Sequence, residues 1–138
     1  MKTLKISLTL FVAGLVFQAC DENEIMPGYQ KKGTTTTTVA TITPSNSKPA
    51  KASNITITLT YVNPASDLLR MVELKAKIGS GTYETIQTFD AQSDAKDSEV
   101  TRQATYTTPN ASGTVTFDMV ITSQMPYPQV IRTSVSVQ

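Results

Sequence analysis

The sequence lacks the residue types on which many active sites depend. Its 138 residues include no histidine and one cysteine. Histidine is the usual general base and the commonest metal ligand, so its absence removes the most frequent routes to acid–base and metal chemistry. Serine or threonine nucleophiles then have no imidazole partner, and a lysine-activated nucleophile needs a lysine desolvated in a pocket. We therefore expect no catalysis, no cofactor and no metal site.

Two further scarcities narrow the class of partner. Tryptophan is absent and aromatic residues make up 7% of the chain, so a platform for stacking sugar rings is weakly supported. The 12 basic and 11 acidic residues give a net charge of +1, which removal of Lys2 and Lys5 would bring close to zero. Nucleic acid binding needs a basic face, so we expect no nucleic acid partner.

Residues 1–19 have the three-part organisation of a secretory signal peptide. Lys2 and Lys5 form a positive start, residues 6–17 are an apolar run, and the small Ala19 precedes Cys20. The apolar run is shorter than the roughly 20 residues that a membrane-spanning helix needs. We expect cleavage after residue 19, which leaves 119 residues.

Val16-Phe17-Gln18-Ala19-Cys20 resembles the lipobox of bacterial lipoproteins, although Phe17 stands where leucine is commoner. The resemblance implies that Cys20 carries a diacylglycerol thioether and an acylated amino group. One acyl chain anchors a protein marginally, at about 0.8 kcal/mol per buried CH₂, whereas several chains hold stably. The expected partner is therefore membrane lipid, through the acylated Cys20. The alternative is an ordinary secreted protein with a free thiol, which is a reactive liability in an oxidising compartment.

Residues 20–35 are interpreted as a lipidated, flexible tether, because they are polar, contain Pro and Gly and show no period. The acidic run at residues 21–24 resembles the export signal of surface lipoproteins in the Bacteroidota; the alternative is a solvated spacer. The predicted location is the cell envelope, anchored to the outer membrane at the cell surface or the periplasmic face.

From residue 36 to 138 the pattern indicates an all-β domain. The clearest strand is residues 54–62, where Ile55, Ile57, Leu59 and Tyr61 alternate with threonines. A helix is conceivable for residues 65–77, but alternating charges favour a strand with Val72, Leu74, Ala76 and Ile78 inward. The predicted strands are the end of 34–43, then 54–62, 68–78, 82–90, 99–108, 114–123 and 129–138.

Seven short strands joined by turns predict an antiparallel β-sandwich, with a small barrel as the alternative. The pattern resembles an immunoglobulin or fibronectin type III module, although the Cys, Trp and Cys of antibody domains are missing. Tyr106 is interpreted as a core aromatic, with a tyrosine-corner role as the other reading. Tyr83 is expected among the apolar members of the fourth strand.

Residues 90–99 are the best metal candidate, since Ca²⁺ prefers several hard oxygen ligands from a flexible segment. The spacing matches no EF-hand, and Lys96 subtracts charge, so a solvated loop pointing outward is favoured. Glycosidase chemistry needs two carboxyl groups across a cleft. Candidate carboxyl groups are present, but so small a sandwich offers no obvious cleft: Asp67, Asp90, Asp94, Asp97, Glu99 and Asp118.

Residues 125–128 are the best partner-binding candidate. Pro126 and Pro128 stiffen a loop between the last two strands, and Tyr127 between them is expected to face solvent. The alternative is a plain turn in which Tyr127 covers the end of the core.

These observations favour a non-catalytic module that binds protein or glycan at the cell envelope. Such a module is similar to the small β-sandwich lipoproteins that accompany nutrient-uptake systems of the Bacteroidota. The alternative is an assembly component, such as an adhesin- or pilus-associated subunit, which accepts a partner strand at a sheet edge. A small inhibitor or an enzyme is the third and least supported hypothesis.

Overall fold

The computed structural model of this protein describes residues 38–138. The predicted signal peptide, Cys20 and the tether at residues 20–35 lie outside the described residues. Within the described part the secondary structure consists of strands and turns, with no helix. The seven strands are β1 (Ala40–Pro44), β2 (Asn54–Val62), β3 (Leu69–Ile78), β4 (Glu84–Asp90), β5 (Glu99–Thr107), β6 (Gly113–Ser123) and β7 (Gln129–Val137).

The strands form two separate antiparallel sheets. One has the order β1-β2-β5 and the other the order β4-β3-β6-β7. This is the predicted all-β sandwich, and the barrel alternative is wrong. β4 joins the sheet of β3, whereas in a constant-type immunoglobulin domain the fourth strand joins the sheet of the first two. The immunoglobulin-like assignment therefore stays a prediction.

The core lies between the sheets because apolar residues alternate along each central strand. In β2 the inward positions 55, 57, 59 and 61 are all buried, as the period of two predicts. β6 faces them with Val115, Phe117, Met119 and Ile121, each fully buried. Burial of such a side chain contributes about 1.5–3 kcal/mol, so this layer is a main source of stability for a disulfide-free domain.

Antiparallel order places the loops at two ends of the sandwich. At one end lie Thr38, where the described chain begins, and the loops 63–68, 91–98 and 124–128. We call this the entry end. The opposite end carries the loops 45–53, 79–83 and 108–112, together with Gln138.

The sequence interpretation was wrong at two positions beside the β3–β4 turn. Ile78 is 54% exposed, because the pairing of β3 with β4 ends at Ala76 and leaves Ile78 uncovered. Tyr83 precedes β4 instead of belonging to it, and its ring lies 4.8 Å from Nζ of Lys77. The predicted turn itself is present, with Gly79 at φ +53°, a conformation that glycine adopts without strain.

Candidate functional site

The loop between β6 and β7 presents Tyr127 to solvent. Tyr127 is 54% exposed, and Pro126 and Pro128 on either side are exposed too. The alternative in which Tyr127 covers the core end is therefore wrong. Its role in partner binding stays a prediction.

The base of this loop is held by specific hydrogen bonds. The Ser123 hydroxyl donates to Oδ2 of Asp67 at 2.8 Å, and the Met125 backbone N–H donates to Ser123 Oγ at 2.9 Å. At the other side, the Gln129 side-chain amide forms a pair with the backbone of Thr38. The Thr38 N–H donates to Oε1 at 2.9 Å, and Nε2 donates to the Thr38 carbonyl at 3.0 Å. The loop is thus fixed at both ends.

The loop also exposes a second large apolar side chain. Met125 is 37% exposed, two residues before Tyr127. We call these two residues the tyrosine-loop surface. Val39 (78% exposed) and Val130 (48%) lie elsewhere, directly before β1 and in β7, which belong to different sheets. Such single exposed apolar residues are ordinary.

Most of the acidic loop before β5 is exposed, as predicted, but two of its side chains are buried. Ala91 is fully buried, and the Asp94 side chain is only 6% exposed. Oδ2 of Asp94 accepts a hydrogen bond from the Tyr61 hydroxyl at 2.7 Å, and Oδ1 forms an ion pair with Arg102. Burial, and then the Asp94 carboxylate, raise the pKa of Tyr61 to about 12. We call these three residues the Asp94 cluster.

A buried asparagine ties the same loop to the next connection. Nδ2 of Asn63 donates to the Asp94 carbonyl at 2.9 Å, and Oδ1 accepts from the Leu69 N–H at 3.0 Å. The Asp97 N–H donates to the Asn63 carbonyl at 2.8 Å, and Asp97 Oδ1 accepts from the Ala65 N–H at 2.9 Å. The carboxylates of this loop therefore serve its own conformation. Within residues 38–138 no group of three or more His, Cys, Asp or Glu side chains could hold a metal ion.

A second polar cluster lies on the outer face of the four-stranded sheet. Nε and an Nη of Arg132 donate to the two carboxylate oxygens of Asp118, each at 2.7 Å. These hydrogen bonds hold the pKa of Asp118 below its usual range. The guanidinium also lies 5.7 Å from the ring centre of Tyr83, whose pKa is raised by burial and by Asp118. We call these three residues the Asp118 cluster.

The sequence analysis missed the Asp94 cluster, although a signal was present. Arg102 lies on the same face of β5 as Val100, Ala104 and Tyr106, at a spacing of two residues. A buried guanidinium needs an anionic partner, so an inward arginine in a strand predicts a nearby carboxylate. What the pattern could not indicate is that Asp94, eight residues earlier, supplies it.

No protein-family model matches this sequence, and comparison with curated proteins finds no match. Solved structures do resemble the domain. A superoxide reductase (neelaredoxin) from Ignicoccus hospitalis has a TM-score of 0.53 at 15% identity, over 73% of this chain and 82% of that one. The sporulation control protein Spo0M from Bacillus subtilis has a TM-score of 0.54 at 13% identity, over 75% of this chain and 50% of that one. At such low identity these similarities show the fold alone.

Among residues 38–138, no helix is long and apolar enough to span a bilayer.

Proposed function

We propose that this protein is a lipoprotein, anchored through Cys20 to the cell envelope, whose β-sandwich binds a protein partner without catalysing a reaction. The observation that carries the binding role is the tyrosine-loop surface. Tyrosine and methionine are enriched at protein interfaces, and an aromatic side chain with two rotatable bonds loses little entropy when it is ordered. The proline-flanked loop, fixed at both ends, reduces that cost further.

A protein partner is favoured over a glycan because of the residues at this surface. It holds one aromatic ring and a methionine, whereas sugar recognition by stacking needs aromatic platforms. The small net charge of +1 gives no electrostatic preference for either partner.

The lipid anchor is tested by fractionation and mass spectrometry of the full-length protein made in a bacterial host. We expect the wild-type protein in the membrane fraction, beginning at residue 20 and carrying acyl chains. Cys20→Ser should leave the protein unacylated and released from the membrane. An intact Met1 or an unmodified Cys20 in the wild-type membrane fraction would contradict the anchor.

The binding surface is tested by cross-linking in intact envelopes, followed by reconstitution with the purified partner. Tyr127→Ala should weaken binding at least about tenfold, as truncation of an interface hot spot does. Ser134→Ala, which changes an exposed residue of β7, is the matched control and should bind normally. Equal binding by both variants would exclude the tyrosine loop as the contact.

A second function, as an assembly subunit, is favoured by one observation. β5 is a nine-residue edge strand that pairs only with β2, and its pairing register has no bulge. Long regular edges are suited to addition of a strand from another chain. Thr105→Pro changes an exposed residue of this edge strand. It should block addition of a partner strand while leaving the tyrosine loop intact. The readout is the size of complexes extracted from the envelope.

A further inference from the structure

The two lateral sides of the sandwich differ in how they are closed. On one side, β7 is bonded to the β1–β2 connection: the Ser136 N–H donates to the Ser47 carbonyl at 2.9 Å, and the Gln138 N–H donates to the Pro49 carbonyl at 3.0 Å. On the other side β4 and β5 are both edge strands. Between them the structure has an open cavity of about 240 Å³, lined by residues of both sheets.

The inner part of this cavity is apolar. Ala76 from β3 is buried, and Ile86 from β4 and Tyr106 from β5 are half-buried against the core. The Tyr106 ring is fixed edge-on against Phe117, with ring centres 5.0 Å apart and planes at 88°. Tyr106 therefore presents a stable aromatic wall on one side of the cavity.

The rim of the cavity carries one charge, and it is negative. Glu84, at the start of β4, is the charged residue among those that line the cavity. The three ion pairs of the described residues join Lys75 to Glu73, Arg102 to Asp94 and Arg132 to Asp118, so Glu84 belongs to none of them.

The two basic residues that flank Ala76, the partner of Glu84 in the register, have other contacts. Lys75 forms the ion pair with Glu73, and the Lys77 ammonium group lies over the Tyr83 ring on the outer face. The carboxylate instead acts on the cavity wall: burial, and then the charge of Glu84, raise the pKa of Tyr106. A cation placed at the rim is thus attracted by a carboxylate and lies beside an aromatic ring.

We propose that this cavity binds a small organic cation, with an ammonium group at Glu84 and an apolar body against Ala76, Ile86 and Tyr106. The cavity volume limits the size of the apolar part of the ligand. A dry cavity of about 150 Å³ holds benzene, so about 240 Å³ accommodates roughly ten non-hydrogen atoms. This site lies apart from the tyrosine loop, so it does not depend on the proposed function.

The test uses the purified full-length protein and three probes that share a phenyl group and a two-carbon chain. These are 2-phenylethylammonium, neutral 2-phenylethanol and anionic phenylacetate. Binding is followed by NMR of isotope-labelled isoleucine methyl groups, because Ile78 and Ile86 line the cavity while Ile57 is in the core away from its lining. We expect the ammonium compound to shift the Ile78 and Ile86 signals at the lowest concentration and phenylacetate to bind worst.

Two variants test whether Glu84 recognises the ammonium group and whether the probes bind in this cavity. Glu84→Gln should weaken binding of the ammonium probe about three- to tenfold and leave phenylethanol unchanged, as loss of a partly exposed ion pair predicts. Thr82→Trp, at the exposed rim, should fill the mouth and weaken all three probes. Glu99→Gln, an exposed carboxylate at the start of β5, is the control and should behave as the wild type.

Three results would overturn the proposal. Equal affinity for the three probes, or preference for the anion, would mean that the cavity does not select a cation. An unchanged ammonium affinity in Glu84→Gln would remove Glu84 as the recognising group. Absence of any shift at Ile78 and Ile86 at saturating probe would mean that the cavity binds none of them. An unaltered core methyl spectrum in each variant confirms that it is folded.

Discussion

The two clusters of aspartate, arginine and tyrosine use the same residue types for different purposes. In the Asp94 cluster the aspartate comes from a loop, Tyr61 is fully buried, and Arg102 lies on the inward face of β5. The cluster therefore fixes a loop of the entry end against the core. Removal of the Asp94 carboxylate leaves the Tyr61 hydroxyl and the partly exposed Arg102 guanidinium without their partner.

In the Asp118 cluster the paired residues are strand neighbours. Asp118 and Arg132 are opposite each other in the register of β6 and β7, and the arginine side chain is 60% exposed. The backbone pairing already holds these two residues together, and water reaches the guanidinium. This cluster adds to a sheet that is formed without it, so we expect it to contribute less stability.

The sharpest test of this comparison is Asp94→Ala. Because the change leaves the Tyr61 hydroxyl and the Arg102 guanidinium without their carboxylate, we expect a loss of about 3 kcal/mol in the free energy of unfolding. The measurement is urea denaturation followed by circular dichroism. Glu99→Ala, which removes an exposed carboxylate nearby, should cost less than about 0.5 kcal/mol. Similar losses in the two variants would mean that the acidic loop is not held by Asp94.

Tyr61→Phe tests the same cluster from the tyrosine side. At neutral pH we expect a loss of about 2 kcal/mol, because a hydrogen bond to a charged acceptor disappears.

The pH dependence of this stability loss tests whether the Tyr61 hydroxyl is responsible for it. The pKa of Tyr61 is raised to about 12 in the folded state, so the unfolded state loses its proton first as the pH rises above the usual value near 10. The stability that the hydroxyl provides is present below pH 10 and falls by up to about 1.4 kcal/mol per pH unit above it. The difference between wild type and Tyr61→Phe should therefore shrink between pH 10 and 11. A constant difference would show that Tyr61 has an ordinary pKa.

Asp118→Asn should have the smallest effect of the three, about 1 kcal/mol at pH 7. The pKa of Asp118 is lowered in the folded state, so its contribution is present above the usual carboxyl pKa and is lost as the pH falls through the folded value. Urea denaturation at pH 7 and pH 3 should show the wild-type advantage decreasing at the lower pH. A loss as large as that of Asp94→Ala would abolish the distinction between the clusters.

The strands were predictable because their signal is local. β2 matches the predicted strand at residues 54–62, and β5 ends one residue before the predicted strand at 99–108, since side chains of different polarity alternate along both. Ile78 was predicted inward by the same rule and is exposed, because β4 pairs only as far as Ala76. Alternation predicts which way a side chain points relative to its neighbours, but the extent of the partner strand decides whether anything covers it.

The candidate sites were predictable to different degrees. Exposure of Tyr127 followed from the two prolines around it, which is again local chemistry. The cavity beside Glu84 and Tyr106 was not predicted, because its walls come from strands of both sheets. The ion pair of Arg102 with Asp94 was also missed, because alternation along β5 does not indicate how the preceding loop folds.

By itself the sequence determined the seven strands, their inward faces and the absence of disulfide support, because each follows from residue type and a period of two. The tertiary structure alone decided which loop folds onto the core, which edge of the sandwich stays open, and which charges find partners. Those outcomes depend on distances between residues far apart in the chain, and these distances are set only when the two sheets pack together.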